Sequence, residues 1–172
     1  RNPLDVAVSW ANHSGVELAE AVRQLCDDQH VLAPRSKDGA LSRQLRQRMF
    51  SWSGHVASWT RATEIKVLAV RYEDLKADPV KTFSEIVQFT GLDKTEEEVR
   101  NAEKACRFDV LRKQEEKSGF REKTVRGGTF FKQGKSGYWR DFLDDSQIAA
   151  IIDKNAEMMK AFGYLDERGN PV

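Results

Sequence analysis

Two cysteines in 172 residues are too few for a disulfide framework, and Cys26 and Cys106 flank no spacing suited to a metal. That scarcity favours a reducing compartment. Net charge is nearly absent as well. The 28 Lys+Arg offset 27 Asp+Glu to leave a formal +1, so no global field draws the chain to nucleic acid or an anionic membrane. Any anion site must therefore be local. No apolar run approaches a membrane span, and no secretory signal, internal repeat or low-complexity tract is visible. What is present is a 40% hydrophobic fraction, enough for a real core in one domain or a large part of one. A soluble, cytoplasmic protein is expected.

The pattern along the chain reads as mostly helix. Leu18, Val22 and Leu25 face inward on a helix from Val16 to about Cys26. Leu41, Leu45, Met49, Trp52, Val56 and Trp59 step at threes and fours, which predicts an amphipathic helix running to about Thr63. Ile65 to Val70 is short, apolar and β-branched, and reads as a buried strand. Pro79 starts a helix burying Phe83, Ile86, Val87 and Phe89 that stops at Gly91, and Asp93 is expected to cap the next. A last helix runs from about Ser146 to Gly163. One strand among helices fits an α/β sheet whose other strands come from elsewhere in the protein.

Chemistry enters at the first residue. Asn2 is a good N-cap, Pro3 suits the first turn, and Asp5 sits where a carboxylate favours the helix dipole. Arg1 then precedes a helix N-terminus whose free N–H groups already attract an anion, and a guanidinium grips phosphate through paired hydrogen bonds. Ser9 follows two turns later with a hydroxyl. Taken alone, this segment reads rather as an ordinary capped helix with a surface arginine.

Between Lys113 and Asp141 the periodicity disappears. Gly119, Gly127, Gly128, Gly134 and Gly137 are mixed with seven cations, from Lys113 to Lys135. Glycines let backbone approach a ligand, and cations balance phosphate charge. Gly134-Lys135-Ser136 mimics the end of a Walker A loop, but the earlier glycine would fall at Thr129 and Gly137 interrupts any following helix. A flexible surface loop explains the composition, but not the concentration of Phe130, Phe131, Tyr138 and Trp139 within it. Such a loop is expected to fold down over a ligand and to be ordered by it.

Taken in order, these residues resemble the phosphoadenosine pocket of sulfotransferases that use 3′-phosphoadenosine 5′-phosphosulfate (PAPS). Arg1 and Ser9 match the pair that binds the 3′-phosphate. Tyr72, within Arg71-Tyr72-Glu73-Asp74-Leu75, matches the tyrosine beside the adenine. Phe130, Phe131, Lys132, Gln133 and Gly134, continuing to Gly137 and Trp139, match the closing loop, usually an Arg-Lys-Gly core followed by x-x-Gly-x-Trp. Cys106, Arg107 and Phe108 fall where the family places residues against the adenosine. Lys132-Gln133 departs from the usual Arg-Lys pair, leaving open a weaker grip or compensation from Lys135 or Arg126. Tyr138 stands where Asp is common, and the Lys-Thr-Val-Glu type dimer signal is missing.

The resemblance implies an α/β, P-loop-NTPase-like sulfotransferase fold, a parallel sheet flanked by helices. Residues 1–172 would be its helix-rich C-terminal part. It implies transfer of a sulfuryl group from PAPS to a hydroxyl, or less often an amine, of a small acceptor, leaving 3′,5′-bisphosphoadenosine and using no metal. The catalytic His and Lys would lie upstream of Arg1, so no residue here is catalytic, and His55 reads as structural. Roughly 80–130 upstream residues are expected, carrying a phosphate loop and a strand abutting Arg1. The chain alone is expected to be inactive. Two other classes stay open: a nucleotide kinase-like fragment, and a non-catalytic helical interaction module that binds no nucleotide.

Overall fold

The computed structural model describes residues 1–33, 45–120, 131 and 134–172. Helix α1 (Pro3–Ser14) begins where its residues dictate. The Asn2 side chain accepts from the Leu4 N–H, Pro3 fills the first turn, and Gly15 ends the helix in the left-handed region at φ 63°. Helix α2 (Leu18–Leu25) turns Ala21, Val22 and Leu25 inward. Leu4, Ala7, Val22 and Leu25 join Trp139, Leu143, Ile151, Met159, Tyr164 and Leu165 in one apolar cluster. Much of it comes from helix α8 (Asp145–Ala161) and the tail behind it, and a reciprocal capping box between Asp144 and Gln147 sets the start of α8.

The middle of the chain departs from expectation. Leu41 lies outside the described residues; from residue 45 on, the predicted helix forms only as α3 (Trp52–Thr60), because Ser51 takes the N-cap and accepts from the Gly54 N–H. Ahead of it, β2 (Gln47–Arg48) pairs antiparallel with β1 (Val31–Leu32), and Leu45 is 86% exposed. The apolar spacing from Leu45 to Trp59 thus joins two unrelated elements. Ile65 to Val70 is not a ladder strand, and β1–β2 is the only sheet among the described residues. A strand exists only through a neighbour's hydrogen bonds, and no described segment supplies them. Ile65, Val67 and Leu68 are consequently exposed.

Helices α4 (Tyr72–Ala77) and α5 (Pro79–Thr90) follow, and α5 stops at Gly91 (φ 71°) as its sequence indicates. Phe83, Ile86 and Val87 are half-buried, whereas Phe89 is exposed. Thr95, not Asp93, caps α6 (Glu96–Ala105), because Thr95 and Glu98 satisfy each other's N–H groups in a capping box. Helix α7 (Phe108–Ser118) runs into the stretch whose periodicity had disappeared. Its Lys and Glu content leaves almost no apolar stripe to read. No helix among the described residues is long and apolar enough to cross a membrane.

Asn155 joins α3 to α8. It is 1% exposed; its Oδ1 accepts from the Ser53 N–H at 2.9 Å and its Nδ2 donates to the Ile151 carbonyl at 2.9 Å. Asn155→Leu is expected to cost about 1–3 kcal/mol by stranding the Ser53 N–H. The check is a lower urea midpoint at unchanged slope; an unmoved midpoint would show that the bridge contributes nothing.

Candidate functional site

Helix α1 delivers Arg1 to the centre of a polar junction. One guanidinium Nη donates to the Lys135 carbonyl at 2.8 Å. The guanidinium carbon lies 4.3 Å from the centroid of the Tyr72 ring and 5.3 Å from that of Tyr138. Tyr72, the first residue of α4, is held there by its neighbour: the Glu73 carboxylate accepts from the Asn2 N–H at 3.0 Å and from the Tyr164 hydroxyl at 2.9 Å. Burial would raise the Glu73 carboxyl, but these hydrogen bonds outweigh it and hold the group below its ordinary range. The stability it lends is present above the ordinary carboxylate range and is lost as pH falls through the depressed value. Burial and the Glu73 partner push the Tyr164 phenol well up.

Ser9 is exposed one face along α1, beside the Tyr138 hydroxyl. That hydroxyl donates to the Asp5 carbonyl at 3.1 Å, and burial raises its phenol. Tyr138 thus takes part in the junction at the position where the resemblance leads one to look for Asp.

A second group gathers around Phe108, the first residue of α7. Its ring packs edge-to-face with Phe131 at 6.0 Å, and Phe131 packs against Phe120 at 5.1 Å. The Phe131 N–H donates to Glu115 on α7 at 2.9 Å. Gly134, at φ 60°, lies on the Phe108 ring so closely that a Cβ there would come within 2.5 Å of it. The two groups meet in consecutive residues: Gly134 touches Phe108 and Lys135 takes the Arg1 hydrogen bond. Cys106 is an exposed thiol at the C-cap of α6, two residues before Phe108. Phe130, Lys132 and Gln133 lie outside the described residues, as does Arg126.

The junction suits an anion. Arg1 Nε is buried without a hydrogen-bond partner, and Arg1 precedes the N-terminus of α1, whose dipole favours an anion. An aromatic wall of Phe108 and Phe131 nearby suits a flat ring. Arg1 also borders a groove of about 340 Å³ walled by Trp52, His55, Trp59 and residues 67–70.

Asp5 is the residue whose part sequence reasoning missed. It is fully buried, and its two carboxylate oxygens accept from the Gly137 N–H at 2.8 Å and the Trp139 N–H at 3.0 Å. The only local signal was an acidic residue in a first turn, which ordinarily means no more than a favourable dipole contact.

Comparison with known proteins gives a consistent result. The family model described as the sulfotransferase domain matches residues 1–163. Cytosolic sulfotransferase 12 of Arabidopsis thaliana is 31% identical over 172 residues, covering 91% of this chain and 47% of the relative. Cytosolic sulfotransferase 17 of the same plant is 27% identical over 127 residues, covering 66% of this chain and 37% of the relative. Among solved structures, a mouse sulfotransferase complexed with PAP aligns over 98% of this chain and 58% of its own, with TM-score 0.63 and 22% identity, which establishes a common fold. The chain spans about half the length, or less, of these curated relatives.

Proposed function

Because this chain belongs to the sulfotransferase family, we propose that it forms the adenosine and 3′-phosphate end of the donor site in an enzyme that sulfurylates a hydroxyl, or less often an amine. The donor is PAPS, and the product left in the site is 3′,5′-bisphosphoadenosine. The observation that carries this reading is the convergence of Arg1, Tyr72, and the Gly134–Lys135 backbone with Tyr138, from three separate stretches, around a buried and unused Arg1 Nε. Arg1 and Ser9 take the 3′-phosphate, Tyr72 and Phe108 flank the adenosine, and Gly134 brings the glycine segment down beside them. Phe130, Phe131, Lys132 and Gln133 belong to the same loop by resemblance, and Cys106 to the adenosine side.

Such a grip does more than retain the donor. Binding energy spent at the adenosine end holds the phosphosulfate in line with the acceptor oxygen, which attacks sulfur as the bond to the phosphate oxygen breaks. The acceptor proton passes to a base that we assign, with the Lys on the bridging oxygen, to sequence upstream of Arg1. Residues 1–172 are on this reading the C-terminal part of a single cytoplasmic domain and transfer nothing alone.

The Arg1 guanidinium and the positive end of the α1 dipole supply the positive charge here. Chelator is therefore expected to leave the affinity of the whole protein for 3′,5′-bisphosphoadenosine unchanged. A nucleotide kinase-like protein would depend on magnesium for its nucleotide, and a helical interaction module would bind none. Calorimetry with and without chelator separates the three, and a large loss of affinity on chelation would overturn the sulfotransferase reading of the site.

A further inference from the structure

We propose that Asp5 is a positioning residue for the 3′-phosphate: its buried carboxylate locks the helix that carries Arg1 and Ser9 to the backbone of Gly137–Trp139. The inference rests on the donor-site reading above and assigns Asp5 no contact with the nucleotide. An acidic residue this early in a helix ordinarily caps its own N–H groups. Here that work is already done, since Asn2 Oδ1 accepts from the Leu4 N–H at 3.0 Å. The carboxylate serves a distant segment instead, one oxygen to the Gly137 N–H at 2.8 Å and the other to the Trp139 N–H at 3.0 Å. The same residue's carbonyl accepts from the Tyr138 hydroxyl at 3.1 Å, so three consecutive residues are tied to one.

Charge is what allows this double duty. An ionised carboxylate accepts at both oxygens, whereas the Asn amide accepts at one and turns a donor towards the other N–H. Burying that charge is tolerated because two N–H groups and the Arg1 guanidinium, 3.8 Å away, surround it. Arg1 in turn reaches the Lys135 carbonyl, two residues before Gly137. Cation, helix and glycine segment thereby form one preorganised unit, and a phosphate meets donors already in place.

Two effects of removing the charge oppose each other. A neutral residue at position 5 makes the field at Arg1 more positive, which favours a phosphate. It also frees Gly137 and Trp139 from α1, which lets the donors separate. Because the pair with Arg1 is long and both amide bonds are short, the tether is the larger effect.

The test compares 3′,5′-bisphosphoadenosine with AMP by calorimetry on the whole protein, wild type and Asp5→Asn, with the melting temperature measured alongside. Asp5→Asn is expected to weaken the bisphosphate about tenfold or more and AMP by less than about threefold, collapsing the preference between them. A purely structural role would lower the melting temperature and leave that preference intact, and would overturn the proposal. So would a bisphosphate affinity that is unchanged or tighter. If the wild type itself shows no preference, the donor-site reading has failed instead. Tyr138→Phe is the second variant, removing the O–H that donates to the Asp5 carbonyl and neighbours Ser9. It is expected to speed exchange of the Gly137 and Trp139 amides and to cost about threefold for the bisphosphate; unchanged exchange and affinity would overturn the proposal should Asp5→Asn not fold.

Discussion

Gly134→Val should all but abolish nucleotide binding, whereas Lys135→Ala, one residue on, should cost little. At position 134 the backbone sits at φ 60°, a region that a β-branched residue enters only under strain. Any side chain there also meets the Phe108 ring, with a Cβ 2.5–2.7 Å from three ring carbons. Strain and overpacking together amount to about 2–6 kcal/mol, enough to push the segment off the ring and away from Arg1. Lys135 contributes to the junction through its carbonyl, which alanine keeps, so its loss is expected to stay within about threefold. Calorimetry with 3′,5′-bisphosphoadenosine, supported by thermal unfolding, checks the pair. Equal losses at the two positions would mean that side-chain charge, and not the approach of the backbone, sets the affinity.

Arg1→Ala is the other large effect expected, about 1.5–3 kcal/mol in bisphosphate affinity, the range for a hydrogen bond to a charged group. Its guanidinium is the most connected cation of the junction, touching Lys135, Tyr72, Tyr138 and Asp5. Arg1→Lys should fall between wild type and alanine, because an ammonium keeps the charge and loses the planar fork and the stacking on two tyrosines. The loss should concentrate on the nucleotide that carries a 3′-phosphate, with AMP changed far less. A variant that weakened both nucleotides equally would place Arg1 in the scaffold, outside the site.

Where the local code is strong, the sequence was legible. Asn2-Pro3 starts α1, and Pro79 and Gly91 bound α5, each through contacts a few residues apart. Of the residues singled out in order along the chain, Arg1, Tyr72 and the Gly134 segment meet, and Phe108 and Phe131 meet beside them. What stayed hidden depends on partners far away. Asp5 binds amides 132 and 134 positions distant, and nothing in its neighbourhood signals it. Ile65 to Val70 has the composition of a buried strand, but composition supplies no neighbour, and residues 67–70 instead line a groove. Leu45 and Met49 continue the spacing of Trp52 and Trp59 by coincidence, across a turn where Phe50 takes φ 62°. Helix α7 was overlooked because its surface is charged nearly all round; its burial falls on Glu115, a polar residue that helical periodicity does not count.

The central property proposed for the site is recognition of a 3′-phosphate, and a titration of the whole wild-type protein with 3′,5′-bisphosphoadenosine and with AMP tests it directly. On the proposed reading Arg1 and Ser9 address the one group by which these nucleotides differ at the ribose, so the bisphosphate is expected to bind at least about tenfold more tightly. Equal affinities would contradict the assignment.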